Sequence, residues 1–289
     1  MVLAVVARMN STTLETVLVT GASSGIGFEL AREFARHGHN LVIVSPVEPE
    51  IRTVAVRLES EFGVSVKPIA ADLRTEKAAG DIFSQVTAAG LPIGILVNNA
   101  GLGRRGKFWE IPLEDDISML RLNIEAGVRL TKRFLPGLIE RGRGRILNTA
   151  SVAGFEPGPM LAVYHASKAF VLSWSEALAT ELEGTGVTLT ALCPGPVDTD
   201  FFTKADMIDT RAFQDAKVMA PQDIAAAAYE ALMKGERVIV PGAMNKTLVF
   251  SRRLMSEEAQ ARMNEKLYAS TDPDDRSRER GDVEAAAAR

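Results

Sequence analysis

The sequence contains one cysteine, Cys193, and three histidines in 289 residues. A single cysteine excludes an intramolecular disulfide and a zinc site built from cysteines, and it is compatible with a reducing compartment. The chain also lacks any apolar run of the ~18 residues that a membrane-spanning helix requires. Its formal net charge of −4 gives no general affinity for nucleic acid or for an anionic membrane. We therefore expect a cytoplasmic protein with no metal site and no nucleic-acid or membrane partner.

The two ends of the chain differ in character from its centre. Val2–Ala7 is apolar, but this run is too short for a signal peptide and no basic residue precedes it. We expect residues 1–15 to form a loose N-terminal extension. Residues 271–289 carry charges of both signs and no aromatic residue, which predicts a disordered tail or a frayed helix. Residues 16–270 are expected to form one domain.

Short apolar runs alternate with helical patterns between those ends. The predicted strands are Thr16–Thr20, Asn40–Val44, Val64–Ile69, Ile93–Val97, Arg145–Thr149, Val187–Cys193 and Arg237–Val240. Continuous runs of Val, Ile and Leu are typical of parallel strands that helices cover on both faces. The predicted helices are a first one with Ile26, Leu30 and Phe34 in one stripe, then Glu48–Phe62, Thr75–Ala89, Pro112–Glu140, Leu161–Gly184 and Pro221–Lys234. The alternation predicts a doubly wound α/β fold with a parallel sheet of about seven strands and helices on both faces.

A glycine-rich turn, Thr20-Gly21-Ala22-Ser23-Ser24-Gly25-Ile26-Gly27, joins the first predicted strand to the first helix. Gly21 permits a tight turn, Gly25 lets a pyrophosphate approach the backbone, and Gly27 lets the helix pack close to the strand. The exposed N–H groups and the dipole of that helix favour an anion at its start. This context predicts a dinucleotide site; a purely structural turn is the alternative.

Tyr164 and Lys168 are four residues apart and would share one face of a helix. A phenol has a pKa near 10, which is too high for efficient proton transfer at neutral pH, and a nearby ammonium lowers it. Tyr164 could then give a proton to a carbonyl oxygen or take one from an alcohol. Most such pairs are ordinary neighbours on a helix surface. The combination with Ser151 and the glycine turn favours a catalytic pair.

Five motifs occur in a characteristic order. They are the G-x-x-x-G-x-G turn, Asn98-Asn99-Ala100-Gly101, Ser151, Tyr164-His165-Ala166-Ser167-Lys168 and Pro194-Gly195. With these motifs, the stretch Val17–Pro241 resembles the short-chain dehydrogenase/reductase family in its single-domain form. The resemblance implies a Rossmann-type fold. It also implies an NAD(P)-dependent oxidoreductase that transfers hydride between nicotinamide and a carbonyl or secondary alcohol carbon.

The resemblance also assigns catalytic roles to four residues. It implies that Ser151 hydrogen-bonds the substrate oxygen, that Tyr164 is the acid/base, and that Lys168 additionally holds the nicotinamide ribose. Asn123 matches the fourth member, whose helix distortion holds a water for proton relay. An ordinary polar residue of the helix Pro112–Glu140 is the alternative for Asn123.

The same resemblance implies a set of cofactor contacts besides the glycine turn. These are Asp72 and Leu73 at the adenine, Asn98, Asn99, Ala100 and Gly101 beside its ribose, and Pro194, Gly195, Val197 and Thr199 at the nicotinamide carboxamide. Asp72 has a second interpretation, as the cap of the helix Thr75–Ala89.

The end of the second predicted strand, at Ser45, bears on the choice between cofactors. NAD-selective relatives place an acidic residue there to hold the ribose 2′-hydroxyl. Ser45 cannot repel a 2′-phosphate, which favours NADP(H) over NAD(H). Pro46 and Val47 stand where an arginine usually grips that phosphate, which weakens the prediction.

The resemblance further implies a homodimer or homotetramer that associates through Pro112–Glu140 and Leu161–Gly184. The irregular stretch Pro194–Met219 predicts a mobile lid over a moderately apolar small-molecule substrate. The expected lining of the substrate pocket is Leu102, Val152, Phe155, Met160, Val197, Phe201 and Phe202. Two alternatives are open: an extended relative that modifies nucleotide sugars, and a non-catalytic cofactor-sensing protein on the same fold.

Overall fold

The computed structural model describes residues 14–252 and 254–287, and most of the predicted N-terminal extension lies outside them. Seven strands form one sheet in the order β3-β2-β1-β4-β5-β6-β7, and each neighbouring pair is parallel. The strands are β1 (Thr16–Thr20), β2 (Leu41–Ser45), β3 (Val66–Ala70), β4 (Ile93–Asn98), β5 (Gly144–Thr149), β6 (Val187–Leu192) and β7 (Val238–Ile239). The predicted Rossmann-type sheet is confirmed.

Twelve α-helices lie in the described part of the chain. They are α1 (Gly25–Arg36), α2 (Glu48–Phe62), α3 (Ala78–Ala88), α4 (Leu113–Leu120), α5 (Ala126–Glu140), α6 (Ala162–Glu181), α7 (Asp200–Lys204), α8 (Arg211–Gln214), α9 (Pro221–Lys234), α10 (Ala243–Arg252), α11 (Glu257–Leu267) and α12 (Asp282–Ala287). Side chains of α1, α2 and α9 fill the core on one face of the sheet, and those of α3 and α5 fill the other. None of the helices in this part is long and apolar enough to cross a membrane.

The long helix predicted over Pro112–Glu140 is interrupted. A π-helical turn, Arg121–Glu125, separates α4 from α5. Within that turn, the side chain of Asn123 reaches the backbone of Leu102, with which its amide makes two hydrogen bonds of 2.9 Å. The side chain thus holds the loop after β4, and π-turns often mark functional sites.

The strand order reverses between β1 and its neighbours, because β2 pairs with one edge of β1 and β4 with the other. In open α/β sheets the carboxyl ends of such strands leave a crevice where ligands bind. The glycine turn follows β1, and Asn98-Asn99-Ala100-Gly101 begins at the end of β4. The fold therefore brings the two motifs to one place.

A smaller group of segments lies at this edge of the sheet, and we call it the cap: residues 194–219 together with residues 256–287. The stretch predicted to be irregular contains the short helices α7 and α8. Phe202, Met207 and Phe213 pack in a buried cluster that Tyr268, just after α11, completes. Residues 276–283 lie against this cluster, where Asp198 accepts hydrogen bonds from the backbone N–H groups of Gly281 and Val283. The segment predicted as a disordered tail therefore makes specific contacts up to α12.

Candidate active site

A cavity of about 730 Å³ opens at the carboxyl ends of β1, β4 and β5. Its size is ordinary for a ligand site. Most of the residues predicted to bind a cofactor or to catalyse line it: Gly21, Ser23, Ser24, Gly25, Ile26, Gly27, Ser45, Asp72, Leu73, Asn99, Ala100, Gly101, Ser151, Tyr164, Lys168, Pro194, Gly195, Val197 and Thr199. Asn98 and Asn123 lie just behind this lining.

The glycine turn has the tight geometry that its sequence predicts. Gly21 and Gly25 have φ angles of 69° and 56°, a region that favours glycine. A Cβ at Gly27 would lie 2.1 Å from the carbonyl oxygen of Gly21 and 2.5 Å from the side-chain nitrogen of Asn99. No other residue fits at Gly27 without moving the backbone, so α1 starts directly against the end of β1.

Thr20 and Asn99 fasten the ends of neighbouring strands to each other. The buried Thr20 hydroxyl accepts hydrogen bonds from the backbone N–H groups of Asn99 (2.9 Å) and Ala100 (3.1 Å). The Asn99 side chain donates to the Thr20 carbonyl at 3.0 Å and accepts from the Thr149 hydroxyl at 3.2 Å. Asn99 therefore joins three strands and shapes the floor of the cavity.

Asn98 and Asn123 support the site from behind. Asn98 donates to Asn148 at 2.9 Å and to Thr131 at 3.1 Å. Asn123, buried in the π-helical turn, donates to the Ser167 hydroxyl at 3.0 Å in addition to its two bonds with Leu102. The NH₂ groups of both side chains therefore donate to other groups of the protein beside the cavity.

Ser151, Tyr164 and Lys168 all line the cavity. Ser151 follows β5, where its hydroxyl accepts from the backbone of Ala153 at 3.1 Å. Tyr164 and Lys168 lie one turn apart on α6, with the ammonium 5.8 Å from the centre of the phenol ring. The ammonium donates to the Thr149 carbonyl at 2.8 Å, and therefore it too is tied to the end of β5.

Comparison with known proteins identifies the family. The family described as short chain dehydrogenase matches residues 15–208. A short chain dehydrogenase of Pseudocercospora fijiensis is 38% identical over 198 residues, which are 68% of this chain and 64% of that protein. The chain belongs to the short-chain dehydrogenase/reductase family. This membership gives it an NAD(P)-binding fold. The chain spans less than two thirds of the length of that relative.

Solved structures of other short-chain dehydrogenases share the architecture. One from Sphingobium yanoikuyae, in complex with NADPH, is 34% identical with a TM-score of 0.75, and the match covers 83% of this chain and 94% of the other. The bulky-bulky ketone specific alcohol dehydrogenase of Comamonas testosteroni is 33% identical with a TM-score of 0.71, over 84% of this chain and 93% of the other. Both are similar over most of the described sheet and helices.

Burial shifts the pKa values of Tyr164 and Lys168 in opposite directions. It raises the pKa of Tyr164 to about 12, although a hydrogen bond with Ser151 acts the other way. It lowers the pKa of Lys168 to about 8. We expected the ammonium to lower the pKa of the phenol, and the structure shows the opposite direction because desolvation is the larger effect. Tyr164 therefore keeps its proton at neutral pH.

The end of the cavity that Ser45 lines contains an arginine that the sequence patterns did not reveal. Arg74 lines the cavity together with Ser45, Pro46 and Val47. Its guanidinium holds the Asp72 carboxylate at 2.7 Å and lowers the pKa of that carboxyl. Asp72 does not cap α3, because that helix begins at Ala78. Arg74 lies far from the β2 motif in sequence, and only the pairing of β2 with β3 brings the two loops together.

The substrate end is mostly apolar. Leu102, Val152, Val197, Phe201 and Phe202 line it as predicted, and so do Leu161, Met207, Leu267 and Tyr268. Phe201 packs against the phenol ring of Tyr164, with the two ring centres 5.2 Å apart. The prediction for Phe155 and Met160 is wrong, since neither lines the cavity. Phe155 packs against a buried cluster that includes Cys193, and Met160 packs against the buried cluster of the cap.

Proposed function

We propose that the protein is an NADP(H)-dependent oxidoreductase that interconverts a ketone and a secondary alcohol in a moderately apolar small molecule. The observation that carries this proposal is the meeting of Ser151, Tyr164 and Lys168 in the cavity that the glycine turn also lines. A nucleotide site at one end and an apolar pocket at the other suit a redox reaction on a carbon bonded to an oxygen.

The residues at the nucleotide end fit a dinucleotide. A Cβ at Gly21 would lie 2.9 Å from the backbone of Ala100, so the close turn is reserved for glycine. The hydroxyl of Ser45 is buried at the cavity wall and has no hydrogen-bond partner among the described residues, which suits a ribose hydroxyl or a phosphate oxygen. When bound, the cofactor would supply the hydride donor or acceptor.

Side chains of the protein itself would hold the proton and donate it to the substrate oxygen. Tyr164, whose pKa is raised to about 12, holds a proton that it can donate to a carbonyl oxygen as charge develops there. Ser151, beside it, would donate a second hydrogen bond to the same oxygen. The Lys168 ammonium faces Tyr164 from one helical turn away and would stabilise the phenolate that remains. Asn123 would help to position these three side chains by holding the backbone of Leu102 beside them.

The proposed preference for NADP(H) rests on charge at the adenosine end. Ser45 leaves the end of β2 without a carboxylate, and Arg74 places a guanidinium on the same wall. An arginine suits a 2′-phosphate because its planar donors match phosphate geometry. The NADPH complex of the Sphingobium relative agrees with this preference.

A panel of ketones and secondary alcohols, followed by nicotinamide absorbance with NADPH and NADH, tests the activity. We expect turnover of bulky, moderately apolar ketones. The Comamonas enzyme is called specific for bulky-bulky ketones. Absence of turnover with NADPH binding intact would favour the cofactor-sensing alternative. Turnover of nucleotide sugars instead of ketones would favour the extended relatives.

The matched test of mechanism is Tyr164→Phe. This change keeps the ring and its packing on Phe201 but removes the proton, so the rate should fall by about 10²–10⁴ while the dissociation constant of NADPH stays the same. Ser151→Ala should behave similarly with a smaller loss of rate. Lys168→Ala should weaken both rate and cofactor binding. Retention of more than about a tenth of wild-type turnover in Tyr164→Phe would refute the assignment of the general acid.

We also propose a homodimer or homotetramer in the cytoplasm. On α6, Phe170 is exposed and Trp174 lies beside it, while Leu113 and Ile117 are exposed on α4. These side chains lie on the elements that the family resemblance assigns to the interface. Light scattering at micromolar concentration tests the assembly, and a single species of 31.1 kDa would contradict it.

A further inference from the structure

Asn245 lines the cavity from α10, and the mechanism above does not use it. It lies beyond the stretch Val17–Pro241 that carries the family resemblance. The residue is buried, with 6% of its surface exposed. Its Nδ2 donates to the backbone carbonyl oxygen of Pro241 at 2.8 Å and to the sulfur of Met219 at 3.7 Å. Because a carbonyl oxygen can only accept, the amide atom beside Pro241 is the nitrogen.

The other amide atom of Asn245, Oδ1, has unused acceptor capacity. Both protons of Nδ2 have acceptors, whereas Oδ1 receives no hydrogen bond from the residues that the structure describes. Two lysines that line the same cavity, Lys204 and Lys217, are exposed and are not bonded to this oxygen. A buried acceptor without a donor is unfavourable unless a ligand or a water supplies one. Since Asn245 lines the cavity, a bound ligand can supply the donor there.

The loop after β6 shows where Asn245 lies relative to the reacting groups. A Cβ at Gly195 would lie 2.5 Å from both Nδ2 and Oδ1 of Asn245, so the amide packs directly on this glycine. The carbonyl oxygen of the preceding residue, Pro194, accepts from the Ser151 hydroxyl at 3.4 Å and from the backbone N–H of Val152 at 3.0 Å. One dipeptide therefore contacts both Asn245 and Ser151.

The proposed reaction requires a nicotinamide ring close to this dipeptide. Hydride transfer needs the reacting ring carbon within about 3–3.5 Å of the carbonyl carbon whose oxygen Ser151 and Tyr164 would hold. The carboxamide is attached to the adjacent ring carbon, so it must lie near the same point. A carboxamide carries an N–H₂ donor group as well as a carbonyl acceptor. The cofactor thus brings the kind of donor that Oδ1 of Asn245 lacks.

We propose that Asn245 is a cofactor-binding residue whose Oδ1 accepts a hydrogen bond from the carboxamide N–H₂ group of the nicotinamide. This inference rests on the proposed nicotinamide chemistry at Ser151 and Tyr164. The bonds of Nδ2 to Pro241 and Met219 hold the acceptor in one orientation before the cofactor binds. A group that binds the carboxamide also restrains the rotation of the ring to which it is attached.

The acetylpyridine analogue of NADP⁺ tests this assignment, because its methyl ketone keeps the carbonyl oxygen but lacks the N–H donors. In wild type, calorimetric titration should give a dissociation constant for the analogue at least about tenfold above that for NADP⁺. In Asn245→Leu the ratio of the two constants should fall to about a tenth of the wild-type value, because the accepting oxygen is gone. Loss of the bond to Pro241 affects both ligands alike, so the ratio isolates the carboxamide contact.

The matched control is Asn264→Leu. That buried amide also donates to a proline carbonyl, the one of Pro157 at 2.8 Å, but it does not line the cavity, so the variant should keep the wild-type ratio. Asn245→Asp retains an acceptor oxygen and should also keep most of the ratio. If Asn245→Leu did not fold, Asn245→Ala would give the same comparison without a bulky side chain. The thionicotinamide analogue retains the N–H₂ group, so its ratio to NADP⁺ should be the same in wild type and Asn245→Leu.

These titrations need no turnover, so they separate this inference from the proposed reaction. Equal acetylpyridine ratios in wild type and Asn245→Leu, or a wild-type ratio of about one, would overturn the role of Asn245 and leave the proposed reaction intact. The expected change of ratio without any ketone turnover would support Asn245 and count against the proposed substrate alone. Failure of wild type to bind either NADP⁺ or NADPH would refute both proposals.

Discussion

The nucleotide end of the cavity and the cap over its other end are held in different ways. At the nucleotide end, backbone and short side chains at the ends of β1, β4 and β5 bond to each other, as Thr20 does with Asn99. The cap depends on charged side chains that reach between segments distant in sequence. Arg105, after β4, binds Asp209 at 2.9 Å, and the buried Asp198 binds the backbone near α12. Because the nucleotide end is closely packed, it should not tolerate added atoms. Because the cap depends on charged side chains, it should be sensitive to the loss of a charge.

Gly27→Ala disrupts the nucleotide end and should have the largest effect on stability and on NADPH binding. The added Cβ would lie 2.1 Å from the Gly21 carbonyl oxygen, so the turn or α1 must move. Overpacking of this kind costs about 3 kcal/mol of unfolding free energy, and NADPH binding should be lost with it. Denaturant unfolding and cofactor titration measure both.

Gly80→Ala is the matched control in α3, where the nearest atom to an added Cβ is 3.9 Å away. Alanine in a helix should stabilise the protein by about 0.5–1 kcal/mol. If both alanine variants unfolded alike, the close approach at Gly27 would not be what restricts that position.

Arg280→Ala disrupts the cap and should have the next largest effect on stability. Asp198 is fully buried, and the Arg280 guanidinium supports its carboxylate at 3.4 Å while also binding Asp200 at 3.1 Å. Loss of one charged hydrogen bond to a buried carboxylate should lower the unfolding free energy by about 2 kcal/mol. Residues 200–219 should become sensitive to protease, because the segment near α12 no longer holds them.

The control for the cap is Arg262→Ala, whose ion pair with Glu258 is exposed and therefore worth less than about 1 kcal/mol. The protease pattern of that variant should match wild type. Equal protection of residues 200–219 in the Arg280 and Arg262 variants would show that the contacts near α12 do not hold the cap.

Arg74→Ala tests which residue of the nucleotide end favours NADPH over NADH. We expect the dissociation constant of NADPH to rise by about tenfold, since a single charged contact to phosphate is lost, while that of NADH changes little. Release of Asp72 would affect both cofactors, because it would act at the adenine, so the ratio of the two constants isolates the 2′-phosphate. Arg52→Ala on α2, which pairs with Glu48 at the surface, is the control. An unchanged ratio would remove Arg74 from cofactor selection.

The two ends also differ in how far sequence predicts them. The bounds of β1, α2 and α9 were predicted as the structure has them, because apolar periodicity and the first-turn proline of α9 act locally. The glycine turn was predicted because its backbone demands are local too. The contact of Asp198 with Gly281 joins residues 83 positions apart, and no local pattern marks either partner. Arg74 was missed for the same reason: its proximity to Ser45 arises only when β2 and β3 pair.

Lys168 lies between the two ends. Its burial predicts that the stability of the protein depends on pH, and this is the smallest of the expected effects. Its pKa falls from 10.5 to about 8 on folding, so between those values the unfolded chain binds a proton that the folded chain has released. Stability therefore rises as pH increases through this window. From pH 7 to pH 9 the unfolding free energy of wild type should gain about 1 kcal/mol relative to Lys168→Met.

The window for this measurement ends near pH 9, because burial raises the pKa of the Cys193 thiol from 9.0 to about 12, so above pH 9 the unfolded thiol ionises first and stability falls. The pKa of Tyr164 is raised from 10.0 to about 12, so above pH 10 the unfolded phenol ionises first and stability falls further as the unfolded chain releases that proton. Denaturant unfolding at several pH values below this limit gives the two slopes. Lys234→Met, at the exposed end of α9, is the control and should follow wild type. Parallel curves for wild type and Lys168→Met would mean that the Lys168 ammonium keeps its proton at the Thr149 carbonyl, and the folded site would then be positively charged at every pH where the enzyme works.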